Sequence, residues 1–489
     1  AATCYPTGRQ ALSRARPGIM SGSGGGSVAK VSPGVYKKVL RVREAYPFDI
    51  ACLLMRFFGS MLNIGVVTMI TLSGYSFLTA GLSSSLIALS IFVVTPRVSK
   101  RIDERGQSAV VPKAAAVSLL GLVVLIANVA LHGPVWPLFV GALLVGFFPS
   151  PQAMARARWT YLIRSGRLGE AAPDLRTMFS YESVLDDMAF IFSPSISIAL
   201  AAAIAPVAGM VCGGVAFAVG VVLLCTAKST EPHPGWSQAG AAGNDADIVD
   251  AADAADAVAD VAGDGAAASK GALAEGAAAV ASAASVPSKS LLATSAAVRV
   301  LFVIYAFAGS FLGLFDTATV SLSEDLNSPD FAGAVLMASG AVSMTAGFLF
   351  GMVRLRAPLP KQLVVAACAV GLSFGTMFLI DSAPTLMAVA LLGACTYAPL
   401  LIVANGVCER AVPDARLTEA ITWLNAGYTC GAAFGPTVAG ALIDTFGTMA
   451  SFKVGTLLCL GMPLTAILCY RVVKASILPA YTVVEEREM

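Results

Sequence analysis

Apolar residues occur in long runs that are interrupted by charged residues, glycine or proline. Each run is about twenty residues long, which is the length an α-helix needs to cross the roughly 30 Å hydrocarbon core of a bilayer. Uninterrupted runs of this length predict transmembrane helices. Twelve runs occur, at 48–70, 74–94, 113–131, 134–155, 178–203, 206–227, 298–321, 331–353, 361–380, 384–407, 420–443 and 449–470.

The composition also indicates a membrane protein. Of 489 residues, 57% are hydrophobic and 13% are charged, about half of the roughly 25% charged share that is typical of a soluble domain. So few charges cannot cover a surface that faces water. The net charge of +2 gives no indication of a nucleic-acid partner.

The runs form two groups of six. Residues 46–227 are predicted to be one six-helix bundle, and residues 298–473 the other. Between them, residues 228–297 are rich in alanine and aspartate and predict a disordered or transiently helical cytoplasmic linker. The Gly/Ser-rich and basic residues 1–45 predict a disordered cytoplasmic tail, and residues 474–489 a second cytoplasmic tail.

Basic residues are concentrated in the loops on one side of the predicted membrane. Because positive residues near helix ends remain in the cytoplasm, we expect these loops and both termini to be cytoplasmic in a multi-pass protein of the plasma membrane. The loops on the other side contain at most Lys453, and one contains Glu324, Asp325 and Asp330. The even-numbered loops contain Arg97, Lys100, Arg101, Arg105, Lys113, Arg156, Arg158, Arg164, Arg167, Arg176, Arg354, Arg356, Lys361, Arg410 and Arg416.

The two halves of the chain are similar to each other. A shift of 242 residues, from 193 to 435, places Ser193-Pro194 of the fifth run over Gly435-Pro436 of the eleventh. The same shift places Ala199-Leu200 over Ala441-Leu442. Internal repeats of this kind are typical of membrane proteins whose halves rock about a central site, and they predict a pseudo-two-fold arrangement.

The second loop resembles the loop signature of the major facilitator superfamily, in which an Asp-Arg-x-Gly core is framed by basic residues. Here it includes Asp103, Arg105 and Gly106, with Glu104 intervening and Ser108 where a further basic residue is usual. The eleventh run is similar to the Gly-x-x-x-Gly-Pro string that the antiporter branch has in its fifth helix. Its small residues are Gly427, Gly431, Gly435-Pro436 and Gly440.

Three further strings resemble uncharacterised actinobacterial permeases of this superfamily: Arg156-Ala-Arg-Trp159, Glu182 to Asp187, and Leu417 to Trp423. The resemblance implies an all-α integral membrane protein with the superfamily fold, in which twelve transmembrane helices form two six-helix bundles. It also implies alternating access by a monomer. The second loop would help to latch one conformation, the first and fifth helices would be neighbours, and the seventh would line a central cavity.

Charged side chains inside apolar runs cost at least about 2.5 kcal/mol each, so each of them requires a partner or a function. Arg56 lies in the first run, and Glu182, Asp186 and Asp187 begin the fifth. Because the resemblance makes these helices neighbours, we expect Arg56 to pair with Asp186 or Asp187. Two interpretations remain open: a static ion pair that locks the bundle, or proton-coupling groups whose pairing breaks during transport.

Asp316 lies in the seventh run and has no basic residue close to it in the sequence. Burial away from water disfavours the ionised form of a carboxyl group. Asp316 is therefore the first candidate for a proton carrier. The alternative is a position close enough to the outer surface to be hydrated.

Several neutral polar residues are candidates for hydrogen bonds to a substrate, although each could equally bond to another helix. Together they predict a mostly neutral cavity, which suits an uncharged or amphiphilic solute. They are Asn63, Tyr305, Tyr397, Asn405, Asn425 and Tyr428.

Enzymatic chemistry has little support in the sequence. Gly371-Leu-Ser-Phe-Gly375 matches a nucleophile string, but the string lies within an apolar run and lacks the strand-to-helix turn that makes such a serine reactive. The two histidines, His132 and His233, lie outside the runs. No phosphate-binding loop is present. We therefore expect no catalytic residues, no cofactor and no metal.

The leading functional expectation is proton-coupled export of a small organic or amphiphilic solute. Uptake of a sugar-like or other small polar nutrient is the alternative, and a non-transporting membrane sensor or an intramembrane enzyme is a remote one. The expected partners are a small-molecule substrate and the lipid bilayer, without nucleic acid.

Overall fold

The structure is a computed structural model that describes residues 39, 41–168, 173, 175–234, 290–353, 355, 357–413 and 416–477. Most of the predicted disordered tail at 1–45, most of the predicted linker at 228–297 and most of the tail at 474–489 lie outside these residues. Within the described residues the secondary structure is helical and contains no strand.

The helices follow one another along the chain, with short 3-10 segments at Arg43–Ala45, Lys228–Thr230 and Gly375–Leu379. They are α1 (Tyr46–Leu72), α2 (Phe77–Arg105), α3 (Gln107–Ala130), α4 (Trp136–Val145), α5 (Pro151–Arg164), α6 (Leu175–Ala203), α7 (Ala208–Thr226), α8 (Leu291–Thr294), α9 (Ala296–Asp325), α10 (Asp330–Met352), α11 (Leu359–Phe374), α12 (Ala383–Ala411), α13 (Leu417–Phe446), α14 (Thr448–Leu468) and α15 (Tyr470–Ser476).

Except for a break in the fourth, the predicted apolar runs coincide with helix. Ten helical stretches in the described part of the chain are long and apolar enough to cross a membrane. The two runs outside this group are the eleventh, which forms the long helix α13, and the fourth. The chain is therefore an all-α, multi-pass membrane protein.

The continuous run at 134–155 predicted a single fourth helix, but the structure has two helices there. Helix α4 ends at Val145 and α5 begins at Pro151. Pro149 and Pro151 lack a backbone N–H and disfavour helical geometry in the residues before them. The side chain of Ser90 in α2 also lies where a Cβ atom on Gly146 would be. The break therefore lets α2 approach the backbone closely.

Two hydrophobic cores divide the molecule. One is formed almost entirely by buried residues between Val39 and Leu224, and the other by residues between Leu291 and Val473. In the first half α1 packs on α6, and in the second half the corresponding helix α9 packs on α13. This correspondence is the pseudo-two-fold arrangement that the internal repeat predicted. Each half therefore has the core it needs to move as a unit.

Two pairs of helices make the most extensive contacts between the bundles. Helix α2 packs on α13, and α6 packs on α10. Small residues make the first contact close: a Cβ atom on Gly81 would overlap the Pro436 carbonyl oxygen, and one on Gly440 would overlap the Phe77 carbonyl oxygen. Close backbone approach through glycine is typical of helix pairs in membranes.

Candidate functional site

A cavity of about 650 Å³ lies between the two bundles. Its walls come from α6 of the first bundle and from α9, α10, α12 and α13 of the second. The residues that line it include Val184, Asp187, Phe190, Leu312, Ser343, Met344, Phe348, Tyr397, Leu401 and Tyr428. Its volume falls in the range of about 300–1,000 Å³ that is typical of sites for small molecules.

A smaller cavity of about 110 Å³ adjoins the large one, and Asp316 lies in its wall. Both cavities are lined by Phe190, Ile191, Leu312, Gly340, Ser343 and Tyr397. Aromatic rings form much of the inner end, where the centroids of Phe315 and Phe374 are 5.5 Å apart. Asp316 therefore lies deep between the bundles, with its carboxylate in the wall of a space that a solute could enter.

Asp316 has no charged partner among the described residues, where it forms neither an ion pair nor a hydrogen bond to another side chain. The hydroxyls of Tyr397 and Tyr428 are neutral polar groups that interact electrostatically with Asp316. Tyr397 donates its own hydrogen bond to the Ala308 carbonyl oxygen at 3.1 Å. Neutral hydroxyls cannot compensate a buried negative charge, so the carboxylate is available for a proton or a cation.

Hydrogen bonds join the two bundles at one end of the molecule, where α1 and α9 end and α2 begins. There the Asp444 carboxylate on α13 accepts hydrogen bonds from the backbone N–H groups of Phe77 and Leu78, at 3.0 and 2.8 Å. Thr71 donates a hydrogen bond of 2.6 Å to Glu324. We call this region the closed end. The large cavity extends towards the opposite end, where α6 begins and α10 and α12 end, and which we call the open end.

A second polar site lies inside the first bundle near the open end. Arg56 on α1 pairs with Glu182 on α6, and both side chains are fully buried. The Nε atom of Arg56 also lies 2.8 Å from Oδ1 of Asp186. The other oxygen of Asp186, Oδ2, lies 3.9 Å from Nη2 of Arg156. Of the two aspartates expected as partners, only Asp186 pairs with Arg56. Asp187 lines the cavity instead.

This buried polar site also includes three residues that the sequence analysis did not select as site candidates. Asp49, 7% exposed, accepts a hydrogen bond of 2.9 Å from the Trp159 indole N–H. Arg158 is fully buried and bonds to Gln107 and to the main chain after α7. The sequence spacing could have indicated Asp49. This residue precedes Arg56 by seven positions, which is about two helical turns, and so lies on the same face of α1.

The neutral polar candidates are not gathered in one place. Tyr397 and Tyr428 line the cavity. Asn63 accepts a hydrogen bond from Ser84, which ties α1 to α2. Tyr305 donates a hydrogen bond of 3.4 Å to the Leu401 carbonyl oxygen of α12, whereas Asn405 and Asn425 are exposed on α12 and α13. Interhelical bonding therefore accounts for Asn63 and Tyr305, and of the six candidates Tyr397 and Tyr428 are the two in the cavity wall.

The signature loop between α2 and α3 is held from within its own bundle. Gly106 has φ +90° and ends α2. Glu231, which follows α7, accepts a hydrogen bond of 2.8 Å from the Ser108 backbone N–H and one of 3.1 Å from its hydroxyl. A carboxylate in this position stabilises the start of α3. Asp103 and Arg105 are exposed and form no ion pair within the described residues.

Fold and cavity together define a polytopic α-helical membrane protein with a solute-sized space between two helix bundles. The family model described as Major Facilitator Superfamily matches residues 301–480. No curated protein shows a significant sequence match to this chain.

Solved transporters share this architecture. A crystal structure of the nucleoside transporter NupG has a TM-score of 0.56 at 14% identity, covering 89% of this chain and 99% of that one. A bacterial homologue of the iron transporter ferroportin, in an inward-facing state, has a TM-score of 0.59 at 13% identity, covering 89% and 99%. The peptide transporter POT in complex with sulfate has a TM-score of 0.59 at 13% identity, covering 89% and 95%. The chain thus has the Major Facilitator Superfamily fold.

Proposed function

We propose that this protein is a secondary transporter of the Major Facilitator Superfamily that carries a small organic solute by alternating access. The observation that carries the proposal is the cavity of about 650 Å³ between two separately packed bundles, open towards one end and closed at the other. A solute bound there would contact both bundles at once. Rocking of the bundles would then expose it to the opposite side of the membrane.

The contacts at the closed end support reversible closure. They are hydrogen bonds between polar groups near the helix ends, such as Asp444 with Leu78 and Thr71 with Glu324. A hydrogen bond to a charged group contributes about 1.5–3 kcal/mol, and water can replace it when the end opens. The free energies of the closed and open states then differ by only a few such bonds. Both states are therefore accessible, as alternating access requires.

Asp316 is the proposed proton carrier. It is a carboxylate in the wall of the cavity with no basic partner in the described residues. Desolvation favours its protonated form when the cavity is closed or occupied by apolar atoms, and access to water allows release of the proton. The buried Arg56, Glu182 and Asp186 cluster would then serve chiefly to fix α6 against α1.

The basic loops favour a cytoplasmic position for the open end, and the proposal takes the chain as a plasma-membrane protein with both termini on that side. The cavity would in that case accept a solute from the cytoplasm, and export in exchange for protons is the proposed direction. Uptake of a polar nutrient is the second candidate, which the hydroxyls of Ser343, Tyr397 and Tyr428 in the cavity wall favour.

Proton flux in inside-out vesicles tests this proposal. A pH gradient is imposed, and a panel of amphiphilic and sugar-like solutes is added to vesicles that contain the wild-type chain, Asp316→Asn or Asp330→Asn. Asp330 is the matched control because it is exposed at the start of α10, outside the cavity. We expect a solute to dissipate the gradient in the wild type and in Asp330→Asn but not in Asp316→Asn.

The same vesicles separate the alternatives. Solute that accumulates without proton movement would overturn proton coupling but not transport. Movement of the solute in the same direction as the protons, rather than in exchange for them, would favour uptake over export. Binding without net movement of any solute would favour a sensor over a transporter.

A further inference from the structure

Both bundles contribute a carboxylate to the central cavity. Asp187 comes from α6 in the first bundle and lines the large cavity. Asp316 comes from α9 in the second bundle and lines the adjoining inner cavity. Because the two cavities share part of their walls, a solute that fills them would lie near both acidic groups.

Within the described residues these two carboxylates differ from Glu182 and Asp186 of the first bundle in having no basic partner. Asp186, next to Asp187 in the chain, lies 2.8 Å from Arg56 and 3.9 Å from Arg156. Glu182 pairs with Arg56. Neither Asp187 nor Asp316 forms an ion pair within the described residues, and none of the described residues that line the two cavities is Lys, Arg or His.

The remaining wall is apolar and aromatic. Aromatic rings attract cations through their negative faces, and a methionine side chain adapts its shape to an apolar ligand. The residues that provide them are Phe190, Phe315, Met344, Phe348, Phe374, Tyr397 and Tyr428. An anion in this cavity would meet two like charges and no compensating group, and a neutral solute would leave both carboxylates desolvated and uncompensated.

We infer that the solute bound in the cavity is a lipophilic organic cation, which contacts Asp187 and Asp316 and packs against the aromatic wall. Its transport rests on the function proposed above, whereas its binding does not. The proton and the cation would occupy the same Asp316 carboxylate in turn. One positive charge then replaces another at that site, which gives exchange of solute for proton a physical basis without any further charged group.

Binding to the purified full-length chain tests the inference. The probes are three cations of different shape (tetraphenylphosphonium, ethidium and rhodamine 6G) and the anion tetraphenylborate, which has the same shape as tetraphenylphosphonium. Binding is measured by equilibrium dialysis in detergent for the wild type, Asp187→Asn, Asp316→Asn and the control Asp330→Asn. Size-exclusion profiles and thermal unfolding establish that each variant is folded.

We expect at least one of the cations to bind to the wild type and to Asp330→Asn, with an affinity that falls about tenfold or more in Asp316→Asn. Asp187→Asn should weaken binding as well, and tetraphenylborate should not bind. If all three cations fail to bind, if the anion binds equally well, or if both carboxyl-to-amide variants bind the cations like the wild type, the inference is wrong.

A separate readout distinguishes this inference from the proposed function. Wild-type vesicles that bind a cation but show no net movement of it would contradict transport and leave the cation site standing. Vesicles that move only neutral or anionic solutes would support transport and contradict the cation site.

Discussion

The Asp444 carboxylate at the end of α13 caps the start of α2 in the other bundle, where it accepts a hydrogen bond of 3.0 Å from the Phe77 backbone N–H. Its second oxygen accepts one of 2.8 Å from Leu78. The next N–H, that of Thr79, is bonded to the Ser76 hydroxyl. The first N–H groups of a helix have no hydrogen-bond acceptor within the helix. Here Asp444 of the opposite bundle supplies the acceptors for two of them. Opening of the closed end must therefore expose the N-terminus of α2.

Asp444→Asn should loosen this closed end. The amide keeps one acceptor but loses the charge that interacts favourably with the helix N-terminus, an effect of about 1 kcal/mol. We expect hydrogen exchange of the amides at 77–80 to become about fivefold faster. Asp381→Asn is the matched control, because Asp381 lies near the start of α12 and bonds locally to Thr385. Unchanged exchange at 77–80 in Asp444→Asn would contradict a latching role for this contact.

Removal of Arg56 should destabilise the protein strongly. Arg56→Met leaves the fully buried Glu182 without its cation, which costs about 3–5 kcal/mol for a buried pair. Combining Arg56→Met with Glu182→Gln and Asp186→Asn should restore most of the loss. Thermal unfolding in detergent measures the effect.

The exposed pair Lys100–Glu104, 3.9 Å apart in α2, provides the control. Lys100→Met should change the unfolding free energy by about 0.5 kcal/mol or less, because solvent screens such a pair. A loss in Arg56→Met that is no larger than in Lys100→Met would contradict the structural role assigned to the buried cluster.

Two adjacent aspartates of α6 should respond differently to the same substitution. Asp186→Asn removes a partner of Arg56 and should lower thermal stability. Asp187→Asn removes a carboxylate that forms no ion pair among the described residues, so stability should change little while binding of organic cations weakens. Thermal unfolding and equilibrium dialysis on the same preparations measure both effects. Equal losses of stability would show that Asp187 is also a structural residue.

Glycine substitutions should separate packing within a bundle from packing between bundles. A Cβ atom on Gly431 would overlap the Ala306 carbonyl oxygen inside the second bundle, whereas one on Gly81 would overlap that of Pro436 across the bundle interface. Gly431→Ala should therefore lower the unfolding free energy by about 1–3 kcal/mol. Gly81→Ala should instead open the closed end.

Hydrogen exchange at the start of α2 distinguishes the two glycine variants. It should rise in Gly81→Ala, in which the bundles can separate to relieve the overlap. It should stay near the wild-type value in Gly431→Ala, in which the overlap lies within one bundle. The opposite pattern would contradict the assignment of α2 and α13 to separately moving units.

Much of the architecture could be predicted because the bilayer imposes a simple length and polarity rule. Apolar runs of about twenty residues coincide with helices even where the helices are longer, as in α2, which continues from the apolar run to Arg105. The break between α4 and α5 could not be predicted from hydropathy, because Gly146 to Pro151 is as apolar as its surroundings. There the local proline geometry and the approach of Ser90 decide the backbone.

The candidate site could be predicted only in part. Asp316 was selected because a charge in an apolar run is costly wherever it lies. Tyr305 and Tyr397 are both tyrosines in apolar runs, yet Tyr305 bonds to α12 and Tyr397 lines the cavity. Sequence spacing does not show which face of a helix meets another helix and which meets the space between bundles.

The amino-acid sequence is sufficient for the positions of the long apolar helices along the chain, because these follow from the cost of placing polar groups in lipid. The roles of individual charged residues depend on tertiary packing. Asp186 and Asp187 are adjacent in the chain but point about 100° apart on the same helix. One of them meets Arg56 of α1 and the other meets the cavity, because the bundles surround α6 with protein on one face and open space on another.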